Sequence, residues 1–202
     1  MSDSPDTSMV PKSPTPPPAP APAKHGVTRQ VVEFVLTIAI AFLVAQAVRT
    51  WVIQPYVVPT GSMLPTIQLG DQVLANKFIY RFHGPQAGDI VVFDNPMPQP
   101  GEETLIKRVI AVGGQTVDLQ GGKVVVDGVK LNEYYTYGQP SDPLPNSRIV
   151  FPVHVPQDYV WLMGDNRTSS QDSRYFGPVA DTAVHGQAFF TYWPLARFGV
   201  LK

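Results

Sequence analysis

The sequence predicts a mainly β domain behind one amino-terminal membrane helix. Three observations carry this reading. Short apolar runs recur between turn residues through most of the chain, Asp-Gly and Gly-Gly pairs mark tight reversals, and one long apolar stretch stands near the amino terminus. With 202 residues, 44% of them hydrophobic and 22 of them proline, the chain suits one compact domain with an appendage. A net charge of -1 excludes a chain-wide basic field for phosphates, so no nucleic-acid partner is expected. The absence of cysteine excludes disulfides, thiolate nucleophiles, iron-sulfur clusters and cysteine-based zinc sites.

In chain order, eight of the 22 prolines come first, and Pro16-Pro17-Pro18-Ala19-Pro20-Ala21-Pro22 offers no apolar face. Residues 1–26 therefore read as a disordered or polyproline-like cytoplasmic tail. Residues 31–48 follow with only Glu33, Thr37 and Gln46 as polar interruptions. That is roughly 27 Å of helix against a hydrocarbon core of about 30 Å. Glu33 and Arg49 stand near its ends, where side chains snorkel, and Trp51 and Tyr56 suit an interface. A membrane anchor over residues 27–50 is expected. Lys12, Lys24 and Arg29 precede the span and Arg49 alone follows closely, which puts the amino terminus in the cytoplasm and residues 51–202 outside. Two other readings of the stretch stay open: a buried amphipathic helix, and a cleaved signal peptide running into Ala45-Gln46-Ala47.

The remaining roughly 150 residues are enough for one core. Strands are expected at residues 72–75, 90–93, 105–112, 123–126, 129–131, 149–155, 159–163 and 188–192. Asp127-Gly128 tolerates the positive φ angles of a hairpin, and Gly121-Gly122 marks the turn before it. The proline-rich residues 95–100 and 138–145 are expected to be surface loops, because proline cannot donate to a ladder.

For chemistry, the chain lacks a P-loop, a paired-histidine zinc signature, a complete dinucleotide fingerprint and a nucleophile elbow. His25, His83, His154 and His185 show no ligand spacing, so neither metal nor organic cofactor is expected. Three segments remain. In Pro59-Thr60-Gly61-Ser62-Met63-Leu64-Pro65-Thr66, the prolines resist helix and Gly61 lets the backbone turn beside a serine hydroxyl. Taken alone, it reads more readily as a serine in an ordinary turn. In Leu105-Ile106-Lys107-Arg108-Val109-Ile110-Ala111-Val112, two cations lie within an apolar strand. Alternation puts Lys107 with Leu105, Val109 and Ala111, and Arg108 with Ile106, Ile110 and Val112. Arginine stays charged and needs a partner, whereas a desolvated lysine can lose its proton and act as a base, or else snorkel to an edge. Lowering a lysine from about 10.4 to between 7 and 8 requires roughly 4 kcal/mol of preference for the neutral form. Residues 164–177 are dense in hydrogen-bonding side chains and read as a polar loop or as a network around that lysine.

Together these segments, with Gly88-Asp89-Ile90-Val91-Val92-Phe93 between them, resemble the type I signal peptidases in order and content over residues 54–192. The resemblance implies an antiparallel β-rich catalytic domain and a membrane-bound serine endopeptidase that removes signal peptides from secretory preproteins after Ala-x-Ala. It implies Ser62 as nucleophile, Lys107 as general base, and the Ser62 amide with the Thr60 hydroxyl as oxyanion donors, Thr60 standing where some relatives have serine. Ser170 would orient the lysine amine, while Asp172 with Arg174 and Asp165 with Arg108 would brace the site. Tyr56, Val58, Ile67 and Ile106 resemble the lining of pockets for small side chains at substrate positions -1 and -3. Trp51, Met63 and Leu64 would touch membrane lipid, and a place near the secretion translocon is implied. Thr168 and Ser169 depart from the acidic and amide residues of some relatives. A LexA-like self-cleaving regulator and a silent membrane-anchored peptide-binding protein are the alternatives.

Overall fold

The computed structural model describes residues 26–201; the proline-rich tail with Lys12, Lys24 and His25 lies outside the described residues. Helix α1 covers Val27–Trp51, about 37 Å of helix with neither proline nor glycine inside it. Its Arg29–Trp51 portion is long and apolar enough to cross a membrane. Val31, Phe34, Ile38, Phe42 and Leu43 are all exposed, so this is not the buried helix that one alternative reading allowed. Two of its polar side chains bond within the helix: Arg29 Nε donates to Glu33 at 2.8 Å, and the Thr37 hydroxyl to the Glu33 carbonyl at 2.7 Å.

The domain that follows is built from β1 (Ile53–Val57), β2 (Gln72–Asn76), β3 (Ile90–Gln99), β4 (Glu102–Val112), β5 (Thr116–Gln120), β6 (Lys123–Val126), β7 (Val129–Lys130), β8 (Val153–His154), β9 (Tyr159–Met163), β10 (Val179–Ala180), β11 (Val184–Trp193) and β12 (Gly199–Val200). The short helix α2, Ser173–Phe176, follows β9. The larger sheet runs β1-β2-β11-β3-β4-β9-β10, with β12 on β11, and the smaller runs β7-β6-β5-β8. Pairings in both sheets are antiparallel, as expected of the fold class. The β3 and β4 runs are apolar on both faces because both are covered: Ile90, Val92 and Ile106 join one core cluster, Val91, Phe93 and Val109 another. Proline at position 55 is tolerated because β1 ends the sheet. Asp127 and Gly128 take φ of 50° and 80° in the β6–β7 reversal, and Gly121 and Gly122 take 57° and 72° in the turn before it.

Three expectations change. The proline-rich residues 95–99 are not a loop but the irregular end of β3. Their register is broken between Asp94 and Gln99, so the prolines face no ladder position that needs an N–H. The apolar run at residues 149–155 yields only the two-residue β8. In β4, a bulge between Val109 and Ala111 against β9 turns the last residues over: Ala111 packs beside Ile110, while Val112 packs beside Val109. The bulge leaves Lys107 and Arg108 on opposite faces, as alternation requires.

Gly186 on β11 lies so close to β2 that a Cβ would come within 2.6 Å of the Asn76 carbonyl oxygen. Gly186→Ala is expected to cost about 1–3 kcal/mol, read as a lowered thermal midpoint of the full chain in detergent.

Candidate active site

Ser62 lies in the irregular segment between β1 and β2. The ends of that segment meet, with Val58 N–H donating to Asp71 O at 2.8 Å and Gly70 N–H to Val58 O at 2.9 Å. Buried Asp71 accepts from Gln68 N–H and pairs with Arg197. Within the segment, single turns such as Leu64 N–H to Gly61 O, 3.1 Å, replace regular structure, consistent with its bracketing prolines.

Strand β4 brings in Lys107, whose buried Nζ lies 2.7 Å from Ser62 Oγ and 3.0 Å from its own neighbour's carbonyl, Ile106 O. Burial pulls the amine down to about 8, against the opposing fields of Asp172, Glu102 and Asp165. The Thr60 hydroxyl stands 3.3 Å from Ser62 Oγ. Next along β4, Arg108 grips Asp165 through two nitrogens at 2.9 and 2.8 Å, and Asp165 takes the Thr66 hydroxyl as well. That carboxylate therefore ties all three of the segments singled out by sequence. Asp172 caps α2, holds Arg174 through Nε and Nη2 at 2.9 Å each, and accepts from Gly164 N–H at 3.1 Å.

Three sequence expectations fail in detail. Ser170 Oγ is buried without a hydrogen-bond partner, so the expected bond to the lysine amine is absent among the described residues. The amine bonds Ile106 O and Ser62 instead. Ile67 is fully buried behind the groove rather than on its surface. Its place on the wall is taken by Met63, itself 1% exposed and so not a lipid contact. Tyr56, Val58 and Ile106 do line that groove, a hollow of about 100 Å³ beside Ser62. A second hollow of about 250 Å³ opens onto Ser62 and Lys107 and is lined by Asn95, Ser169, Gln171 and Tyr175 among others.

Other contributors carry no sequence signal of their own. Asn166 donates its backbone N–H to Ser62 O at 3.1 Å and its side-chain amide to Gly61 O at 3.0 Å, fixing the serine turn. Gly164 is required there because a Cβ would fall on the Ser170 side chain and the Ser62 carbonyl. Glu133 and Ser141, from the stretch after β7, hold Arg167, and the Tyr135 ring lies 4.1 Å from the Arg108 guanidinium carbon.

The fold and this groove together define a β-built serine peptidase. A profile described as "Signal peptidase, peptidase S26" matches residues 31–193. The chain is 40% identical over 167 residues to a probable signal peptidase I-1 of Synechocystis sp., covering 80% of this chain and 82% of that one. It is 34% identical over 199 residues to signal peptidase I of Leptolyngbya laminosa, covering 95% and 94%. A crystal structure of a signal peptidase I from Enterococcus faecalis aligns at a TM-score of 0.43 with 30% identity, over 51% of this chain and 95% of that one. The chain belongs to the peptidase S26 family, as a type I signal peptidase.

The lysine leaves a thermodynamic signature. Its folded pKa lies below its unfolded value, so between about pH 8 and 10.5 the unfolded chain binds more protons and stability rises with pH. Lys107→Met removes the cost of burying the ammonium. The variant is expected to be more stable than the unmutated chain by about 3 kcal/mol at pH 7, the gap closing across that window in denaturant titrations.

Proposed function

We propose that the chain is anchored by residues 27–50 with its amino terminus in the cytoplasm, and that residues 51–202 remove signal peptides from exported preproteins by cutting after a small residue. Ser62 is the nucleophile and Lys107 the base in this reading. The observation that carries it is the 2.7 Å contact between Ser62 Oγ and an amine buried enough to be half neutral near pH 8.

The substrate strand lies extended between two free edges. Among the described residues, β1 pairs only with β2, and β4 meets β9 only from Arg108 onward, which leaves one side of residues 102–106 open. Val57 to Thr60 and Thr104 to Ile106 line the same groove, so both edges offer backbone groups to a peptide. Side chains at -1 and -3 then point into a hollow that accepts small residues and excludes larger ones.

The chemistry needs neither histidine nor metal. Neutral Lys107 accepts the Ser62 proton as Oγ attacks the scissile carbonyl. The Ser62 amide and the Thr60 hydroxyl receive the developing oxyanion. Lys107 then returns the proton to the leaving amine, which departs as the new amino terminus of the mature protein. The same amine next deprotonates the water that hydrolyses the acyl-serine, restoring Ser62 and releasing the signal peptide. Asp165 with Arg108 and Asp172 with Arg174 brace the pair, and α1 keeps the domain tethered to the membrane.

The test is incubation of the solubilised full chain with a preprotein whose signal ends in Ala-x-Ala, with the cut located by mass spectrometry. Cleavage after the final Ala is expected from the unmutated chain, with kcat/KM rising through about pH 8. Ser62→Ala and Lys107→Met are each expected to lose at least a thousandfold. Tight binding with no cleavage at any pH would instead make the chain a silent peptide-binding protein.

A further inference from the structure

Three strands bring an acid, an imidazole and a phenol into one line at the wall of the groove. His185 on β11 has Nε2 2.7 Å from Asp94 Oδ1 on β3, and Nδ1 3.4 Å from the hydroxyl of Tyr56 on β1. A carboxylate only accepts, so in the neutral imidazole Nε2 carries the proton and the Nδ1 lone pair faces the Tyr56 hydroxyl. Burial first, and Asp94 second, push the Tyr56 phenol up, which keeps it a donor. None of the three residues touches Ser62 or Lys107 through a hydrogen bond, so the chain is not part of the reacting pair.

What it does touch is the wall. The Tyr56 ring lines the groove and packs on the core cluster that holds Val58, Met63 and Ile106. It lies on the strand that leads into the serine segment, six residues before Ser62. In an extended substrate, position -3 stands about 7 Å further from the cut than -1, on the same face. Of the lining residues that lead along the chain from Tyr56 to Ser62, Tyr56 is the furthest from the serine, so the -3 side chain is the one that meets it.

We propose that Asp94 and His185 are positioning residues that hold the Tyr56 ring as the end wall of the groove and so set the largest side chain accepted at position -3. This rests on the reading of the groove as the seat of an extended preprotein. Without the His185 contact the phenol has no fixed partner, the ring swings, and the hollow lengthens. The device limits size and carries no proton in the reaction.

The experiment compares two preproteins, identical except for Ala or Phe at -3, cut by the full chain in detergent. The readout is the ratio of kcat/KM for Phe over Ala. His185→Ala and Tyr56→Phe are each expected to raise the ratio roughly tenfold. The double variant should go no further than either single, because both remove one contact. Asp94→Ala, at a carboxylate 64% exposed and so safe for folding, should move the ratio in the same direction by a smaller factor. An unchanged ratio in His185→Ala and Asp94→Ala, or effects that multiply in the double variant, would overturn the proposal. A unmutated chain that fails to cut the Ala preprotein in a Ser62-dependent way overturns the functional reading instead, and that result is visible before any ratio is taken.

Discussion

The surroundings of Ser62 bury a lysine amine near carboxylates without pairing it to one. An acid bonded to Lys107 would form an ion pair, raise the amine's pKa and, in the proposed reading, silence it as a base. Of the three carboxylates that act on Lys107, the structure commits the two buried aspartates, Asp165 and Asp172, to arginines. Asp165 is held by both faces of the Arg108 fork and by Thr66, Asp172 by Arg174 and the Gly164 amide, and Glu133 by Arg167. Each pair is buried and made through more than one bond. Buried pairs of this kind add little net stability over apolar packing. What they supply is a fixed direction for each charge, leaving desolvation as the dominant influence on Lys107.

The arginines also act as mechanical ties. Arg108 reaches the carbonyl of Gly88, the carboxylate of Asp165 and the face of Tyr135, which span three separate parts of the chain. Arg174 bonds the carbonyls of Asp142 and Arg167 as well as Asp172. A lysine at either place would supply charge without the planar fork that reaches several acceptors at once. The polar loop at residues 164–177 is thus tied at several points by buried bonds, although its α2 helix has only four residues.

Much of this was legible from sequence because the informative residues are local. Two cations inside an apolar run demanded burial of charge, and the structure buries both Lys107 and Arg108. The Asp-Gly and Gly-Gly turns identified themselves by the backbone angles only those residues take easily. What was not legible depends on register and distance. The bulge in β4 has no residue signature, so simple alternation misplaced Ala111 and Val112. Ile67 and Met63 are both apolar neighbours of Ser62, and only packing decides which is wall and which is core. Glu133, Tyr135 and Ser141 lie in a stretch of ordinary composition, and nothing in their neighbourhood announces an arginine more than two dozen residues away.

The bonds that make the site are also long in sequence. Ser62 and Lys107 are separated by 45 positions, Arg108 and Asp165 by 57, and Thr66 and Asp165 by 99. Each requires a large loop to close before it rewards the chain with any contact. The amine is therefore desolvated only when distant strands have already docked, and until then it is an ordinary solvated ammonium, a poor base at neutral pH. Under the proposed Ser62–Lys107 chemistry, folding itself serves as the safety catch: an unfinished copy has its serine and its lysine but has not yet made them a pair.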